Sequence, residues 1–200
     1  MRGPMHDFAP LWLKIAVSLF VAVLVPVNWR QYGLANFLWF SDLALFLTAG
    51  SLWWESRLLY SMAAVAVLLP ETAWNVDFFW RSVTRRPGIG LSGYMFDGAI
   101  APAIRAVSLF HVWLPALLIW LLCRHGYDRA ALGWDAGMAA VVVPLSYRCG
   151  GPKENVNWVY GLGEKPQNVV PRPVFAAAMM VAFPLVIYLP THLALESVFR

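Results

Sequence analysis

The chain alternates between long apolar runs and short polar connections. An α-helix needs roughly 20 apolar residues to cross a hydrocarbon core of about 30 Å. Six runs reach or approach that length, at about residues 11 to 27, 34 to 52, 58 to 79, 103 to 123, 130 to 147 and 173 to 197. The pattern predicts one all-α transmembrane domain over residues 1–200, a polytopic membrane protein built as a six-helix bundle.

Short connections make neighbouring helices antiparallel, so the predicted bundle has two distinct ends. The terminal end holds both termini and two short links, and the loop end holds the two long loops near residues 80–102 and 148–172. Basic residues outside the predicted helices number five at the terminal end and eight at the loop end. The five are Arg2, Arg57, Arg124, Arg129 and Arg200, and the eight are Arg30, Arg81, Arg85, Arg86, Arg148, Lys153, Lys165 and Arg172. The positive-inside rule then predicts that the long loops are cytoplasmic.

The composition narrows the class of protein further. Hydrophobic residues make up 60% of the chain and charged residues 13%, where soluble domains carry about 25% charged residues. The net charge of +4 is scattered between apolar runs, which predicts contact with lipid headgroups and no nucleic-acid surface. Cys123 and Cys149 lie at segment ends without disulfide-framework or zinc spacing, and no redox ligand set is visible. We therefore assign no cofactor and no metal.

His111 lies near the middle of the fourth apolar run. An ionisable residue inside a membrane segment is a functional-site hypothesis by default. At 1.5 Å of rise per residue, His111, Ser41 and Asp42 lie roughly 10 to 12 Å from the loop end, Glu71 about 12 Å and Asn75 about 6 Å from it. These depths predict a water-accessible polar pocket between the second, third and fourth helices, which opens under the two long loops.

Two interpretations of this pocket are open. In the structural one, Asp42, Arg105 and Glu71 form an ion-pair network that holds the helices together, with His111 as a hydrogen-bonded filler. In the functional one, a carboxylate neighbour tunes His111 toward neutral pH, and the imidazole acts as a general base. An unpaired Asp at a helix centre costs about 2.5 to 3.5 kcal/mol, so either interpretation requires that these groups pair or reach water.

The last long loop carries two asparagines, Asn155 and Asn157. One interpretation is a loop that folds back over the pocket and hydrogen-bonds its own backbone. The alternative is that both side chains donate hydrogen bonds to a substrate headgroup or an oxyanion.

Three short motifs resemble the YwaF-type bacterial integral membrane family and its animal relatives, the transmembrane phospholipid acyltransferases. The segment from Leu38 to Ala44 is similar to the family's Leu-x-Leu-Cys-Asp/Asn-Leu-Ser helix motif. Arg105 to His111, with Ser108, resembles Arg-Phe-x-x-Ser-His. Asn157-Trp158-Val159 followed by Lys165-Pro166 resembles Asn-Tyr-Met followed by Lys-Pro. A more distant likeness is to the androgen-induced-gene type of membrane hydrolase, which pairs a threonine nucleophile with a histidine from another helix.

The resemblance implies acyl chemistry on a lipid in a bacterial cytoplasmic membrane. Ser41 stands at the position of the family's cysteine, and a serine hydroxyl needs a base within reach to become a nucleophile. The expected roles are Ser41 as nucleophile, His111 as base and Asp42 or Glu71 as the orienting acid. The residues expected to bind the substrate or its oxyanion are Asn36, Asn75, Arg105, Ser108, Asn155 and Asn157.

Two other functions fit the same residues. In a binding or transport protein, the pocket would hold a lipid or a small amphiphile and move it, or protons, through Asp42, Glu71 and His111. In a structural subunit of a membrane complex, the ion pairs would only join helices, and the aromatic side chains would face a protein partner or a second copy of the chain. Membrane lipids are the expected partners in every case.

Overall fold

The computed structural model describes residues 8–163 and 166–199, and within them the chain is all-α with six helices. Arg2, Lys165 and Arg200, which entered the charge count or the loop motif, lie outside the described residues. The six helices are α1 Leu11–Tyr32, α2 Phe40–Trp54, α3 Arg57–Thr84, α4 Pro102–His125, α5 Ala131–Cys149 and α6 Arg172–Val198. Three 3₁₀ turns, Leu34–Leu38, Gly93–Phe96 and Val156–Trp158, lie in the loop-end connections.

Three of the helices are long and apolar enough to cross a membrane, namely α1, α4 and α6. They have 22, 24 and 27 residues respectively. By contrast, α2 has only 15 residues, and α3 carries the polar stretch around Glu71 and Asn75. Three candidate transmembrane helices indicate a membrane protein.

The second helix starts later than the sequence pattern predicts. The apolar run begins near residue 34, but Leu34–Leu38 forms a 3₁₀ turn and α2 starts at Phe40. Gly33 ends α1 with a positive φ of 76°, a conformation that is accessible to glycine. Trp39 is extended, with φ −56° and ψ 133°, and separates the turn from α2. Asn36 therefore lies in a turn beside α2 and not in a helix.

Two further helices are interrupted. In α4, Pro102–Ser108 and Phe110–His125 are separate α-helical pieces that meet at Leu109. In α6, Phe183–Tyr188 is π-helical. Proline cannot donate the backbone hydrogen bond that an α-helix expects. Pro184 is the second residue of the π-helical part of α6, and Pro190 lies two residues after its end.

Contacts between the helix ends show the antiparallel order. The Tyr60 hydroxyl, near the start of α3, donates to the carbonyl of Gly126 after α4 at 2.6 Å. Arg129, before α5, pairs with Glu196 near the end of α6 at 2.8 Å. These contacts gather the links after α2 and α4 and the end of α6 at the terminal end. The connections after α1, α3 and α5 consequently lie at the loop end.

Helix α3 is the centre of the bundle, where it packs against α2, α4, α5 and α6. Every residue from Tyr60 to Val67 is buried. Small side chains such as Ala63, Ala64 and Ala66 let neighbouring backbones approach closely, as in membrane helix interfaces. This central place brings the polar face of α3, further along the helix, against both α2 and α4.

Candidate functional site

A histidine–carboxylate pair joins α3 to α4. Both carboxylate oxygens of Glu71 lie 2.8 Å from Nδ1 of His111. The Glu71 side chain is only 4% exposed, while the His111 side chain is 15% exposed. The carboxylate is therefore enclosed, and the imidazole extends from it toward a more open region. This is the arrangement in which a carboxylate fixes the tautomer and the orientation of a histidine.

Aromatic rings hold the His111 imidazole on both sides. Trp74, on α3, stacks on it with a centroid distance of 4.8 Å, and the neighbouring Phe110 stacks at 4.1 Å. The interplanar angle is 29° in each case. Trp74 follows Glu71 by three residues, so both lie on one face of α3. The ring of His111 is thus fixed by packing as well as by its hydrogen bond.

Asn75 closes the junction between α3 and α4. Its amide nitrogen donates to the Glu71 carbonyl at 2.8 Å and to the His111 carbonyl at 2.7 Å. The His111 carbonyl would ordinarily accept from the residue four positions later, which is Pro115 and has no N–H. The side chain of Asn75 supplies the missing donor. Its role in the structure is to lock the helices, and both amide hydrogens are used inside the fold.

Asp42 reaches this pair from the first turn of α2. It is 4% exposed, and its Oδ2 accepts from Asn36 at 3.3 Å. Its Oδ1 is buried and has no hydrogen-bond partner among the described residues. Asp42 lies within electrostatic range of both Glu71 and His111. The structure thus brings Asp42, Glu71 and His111 together, from three different helices.

Ser41 is not joined to His111. The serine is half-buried, and no hydrogen bond links it to the imidazole in the part of the chain that the structure describes. Adjacent residues on an α-helix point in different directions. Asp42 is buried in the bundle, whereas the neighbouring Ser41 is only partly buried. The expected serine–histidine contact is therefore absent from this conformation.

Arg105 and Ser108 lie on the short first piece of α4. The Arg105 Nε is buried and has no partner within residues 8–163 and 166–199. The Ser108 hydroxyl donates to the carbonyl of Ile104 at 2.9 Å, a local bond within its own helix. Of these two side chains, Arg105 is therefore the one that, within the described residues, still has a free donor for another molecule.

Asn157 ties the last long loop to the start of α2. Its Oδ1 accepts from the Phe40 amide at 3.1 Å, and its Nδ2 donates to the Leu38 carbonyl at 2.7 Å and to the Ser146 hydroxyl at 3.0 Å. The backbone of Asn157 is left-handed, with φ 52°. Asparagine tolerates this conformation better than most residues. Ser146, on α5, is a part of this junction that the sequence pattern did not single out.

Asn155 folds its own loop. Its amide donates to the carbonyls of Gly161 and Gly163 at 2.8 and 2.9 Å, and its Oδ1 accepts from the Tyr160 amide at 2.9 Å. For Asn155, these bonds agree with the interpretation in which the loop hydrogen-bonds its own backbone. Asn157 differs, because its bonds reach α2 and α5.

Tyr94 is a neighbour of the site that the sequence pattern did not predict. Burial raises the pKa of its hydroxyl, and the hydroxyl of Ser108 beside it acts in the opposite direction. Asp77 holds the loop that carries Tyr94, because its carboxylate accepts from the amide and the hydroxyl of Ser92, both at 2.7 Å. In the sequence, the pattern that could have indicated this loop anchor is an acidic residue near the end of α3 followed by a glycine-rich stretch.

Two surface cavities at the loop end lie away from the Glu71–His111 pair. One has a volume of about 590 Å³ and lies between α5 and α6, beside Tyr147, Tyr160 and Met180. The other is lined by the start of the first loop and by Cys149, Gly150 and Glu154. Neither is lined by His111 or Glu71. The polar side chains of α2, α3 and α4 are packed against each other.

Comparisons with models of protein families, with curated proteins and with solved structures give no match for this chain.

Proposed function

We propose that this protein is a six-span integral membrane protein and that its Glu71–His111 pair is the general base of an acyl transfer from a membrane lipid. In this proposal α2, α3 and α5 cross the bilayer beside α1, α4 and α6. The membrane is a bacterial cytoplasmic membrane, with the loop end in the cytoplasm. The short motifs similar to the YwaF-type family support a phospholipid as the substrate.

The observation that carries the proposal is the paired contact between Glu71 and Nδ1 of His111. A buried carboxylate on one imidazole nitrogen leaves the other nitrogen, Nε2, to act on a substrate. The greater exposure of the His111 side chain, 15% against 4% for Glu71, gives that nitrogen the more open side. Glu71 also balances the positive charge that the imidazole gains when it takes a proton.

The proposed step begins when His111 Nε2 removes the proton of a hydroxyl group. The hydroxyl oxygen attacks the ester carbonyl of the lipid, the bond to the leaving alcohol breaks, and His111 returns the proton to that alcohol. If the hydroxyl belongs to Ser41, a second round with water or another alcohol releases the acyl group. If it belongs to water or to an acceptor alcohol, one round completes the transfer. Arg105, whose Nε has no partner among the described residues, binds the headgroup phosphate.

A second function, binding and movement of a lipid or a small amphiphile, is favoured by a different observation. Asp42 Oδ1 and Arg105 Nε are both buried without a partner among the described residues. Buried polar groups are ordinarily satisfied, and such exceptions often mark functional positions. For transport, substitution of Asp42 or Glu71 by the corresponding amide should matter more than loss of the Ser41 hydroxyl.

The test is labelling of the purified protein in detergent with a serine-reactive fluorophosphonate. In this conformation Ser41 is not bonded to His111, so the test asks whether the serine becomes the reacting hydroxyl. If it does, we expect labelling of the wild type and loss of labelling in Ser41→Ala and His111→Ala, because the hydroxyl reacts only when a base activates it. Glu71→Gln should reduce labelling by about 10²- to 10⁴-fold, the range that a base and its orientation contribute. The matched control is Ser82→Ala, which removes an exposed hydroxyl that bonds to the Phe78 carbonyl of its own helix.

The outcomes separate the proposed functions. Labelling that survives Ser41→Ala but disappears in His111→Ala would move the reacting hydroxyl elsewhere and retain the base. Equal labelling of the wild type and His111→Ala would refute the general-base role. In that case phospholipid binding and exchange, measured in vesicles for Asp42→Asn and Glu71→Gln, would test the transport function directly.

A further inference from the structure

A second buried polar group lies at the terminal end of the bundle, between α5 and α6. Asp135, on the second turn of α5, is 0% exposed. Neither of its carboxylate oxygens has a hydrogen-bond partner within the described residues, and it takes part in none of the salt bridges there. This carboxylate is remote from the Glu71–His111 pair, and the proposed acyl transfer does not use it.

Tyr188 on α6 resembles Asp135 in being fully buried with a side-chain oxygen that is unbonded among the described residues. Its side chain is also 0% exposed, and its hydroxyl is buried without a partner in the described part of the chain. Asp135 lies within electrostatic range of that hydroxyl. Tyr188 is the last residue of the π-helical segment Phe183–Tyr188. Single π-turns inside α-helices are rare and occur frequently at functional sites.

A chain of polar contacts leads from this region to the surface. The hydroxyl of Tyr127, which also lies within electrostatic range of Asp135, is 2.6 Å from Nδ1 of His192. His192 Nε2 lies 3.3 Å from Glu196, which in turn pairs with Arg129 at 2.8 Å. Exposure of the side chains rises along this chain from 12% at His192 to 25% at Glu196 and 66% at Arg129. The contacts connect the interior with the solution at the terminal end.

An ionised carboxylate that is buried without a cation is so costly that the group takes up a neutralising partner instead. No three His, Cys, Asp or Glu side chains of the described residues converge to hold a metal ion. The smallest partner is a proton. We propose that Asp135 is a proton-binding site of the folded protein, linked to the solution at the terminal end through Tyr127, His192 and Glu196.

Proton movement along this chain leaves Glu196, His192 and Tyr127 with as many protons as before, and Asp135 gains one. Glu196 passes a proton from the solution to His192 Nε2, and His192 releases the proton on Nδ1 to the Tyr127 oxygen. Tyr127 gives its own hydroxyl proton to Asp135 when the two side chains meet, since no hydrogen bond joins them in the described conformation. The titratable and charged groups around this end of α5 are Arg57 and Tyr60 from α3, Tyr127, Asp128 and Arg129 from the preceding loop, and Tyr188, His192 and Glu196 from α6.

The experiment measures the unfolding equilibrium of the purified full chain in detergent as a function of pH. A proton that binds only the folded state stabilises it at low pH. The wild type should therefore lose stability as the pH rises, by up to about tenfold in the unfolding constant per pH unit. Asp135→Asn mimics the protonated side chain and should abolish this dependence. The matched control Asp97→Asn removes an exposed carboxylate at the loop end and should keep it.

A further variant and a change of cation distinguish Asp135 protonation from titration of His192 and from metal binding. His192→Gln should retain the dependence, since it removes the imidazole titration but leaves Asp135. A pH dependence that is the same in Asp135→Asn as in the wild type would overturn the proposal. Stabilisation by Na⁺ relative to choline, seen in the wild type and lost in Asp135→Asn, would also overturn it and assign a metal cation instead.

If Asp135→Asn does not fold, infrared spectra of the wild type and of Asp42→Asn decide the question. A carboxylic acid C=O band at neutral pH that is present in both proteins and shifts in D₂O supports a protonated Asp135. The absence of that band from both spectra overturns the proposal.

Discussion

At the scale of residues, two asparagines of the site, Asn75 and Asn157, each bond to a backbone group at an irregularity of a helix. Pro115 removes a backbone donor, and Asn75 replaces it at the His111 carbonyl, 2.7 Å away. Trp39 interrupts the helical path before α2, and Asn157 accepts the Phe40 amide that results. In both places a side-chain amide bonds to a backbone group that has no backbone hydrogen-bond partner within its helix.

Replacement of Asn75 by leucine tests this dependence. We expect the free energy of unfolding to fall by about 1–3 kcal/mol, because the buried His111 carbonyl loses its donor. Thermal or denaturant unfolding in detergent measures the change. Asn168→Leu, at an exposed loop position, is the control and should change stability by less than about 0.5 kcal/mol. Equal effects of the two substitutions would contradict the role of Asn75.

At the scale of elements, the short α2 depends on the last long loop. Asn157 bonds to Leu38, Phe40 and Ser146, so one side chain connects the loop to α2 and α5. The same helix carries Asp42 to the Glu71–His111 pair. The loop thereby controls the position of one of the three acidic or basic groups of the site.

Two glycine substitutions separate the loop from the helix. Asn157→Gly keeps the left-handed backbone but removes the side chain that caps α2. We expect faster hydrogen exchange at residues 34–42 and unchanged protection in the centre of α3. Asn155→Gly should instead increase exchange within the loop at residues 155–163, because its bonds are local. Mass spectrometry of peptic peptides measures both, and an identical pattern in the two variants would contradict this division.

At the scale of the whole molecule, the two ends of the bundle are chemically different. The loop end holds the long connections and the Glu71–His111 site below them, while the terminal end holds short links and the Asp135 region. The basic residues outside the predicted helices are more numerous at the loop end, eight against five. This asymmetry predicts the orientation of the chain in a bilayer.

The two cysteines report on that orientation. Cys123 is exposed near the terminal end of α4, and Cys149 is exposed at the loop end of α5. We expect a membrane-impermeant maleimide to label Cys149 only in inside-out vesicles and Cys123 only in right-side-out vesicles. The single variants Cys123→Ser and Cys149→Ser assign each signal. Labelling of both cysteines from one side would refute the proposed crossing.

Much of the helical architecture follows from the sequence, because apolar runs of sufficient length form helices wherever the rest of the chain lies. The runs at about 11 to 27 and 173 to 197 fall within α1 and α6. The polar residues just after the first and third runs extend α1 to Tyr32 and α3 to Thr84. The depth of His111, Glu71 and Asp42 is likewise a matter of rise per residue, and the structure places all three together. Periodicity and length are local properties, and a sequence contains them completely.

Only the tertiary structure decides which groups touch. In α2, which starts at Phe40, Asp42 is buried, while the neighbouring Ser41 stays partly exposed and makes no hydrogen bond to His111 within the described residues. That start is fixed by Asn157, more than a hundred residues later in the chain. The unpaired state of Asp135 is equally a property of packing, because burial and the absence of a partner both depend on neighbouring helices. Contacts between distant residues are set by the assembled bundle, which no local pattern encodes.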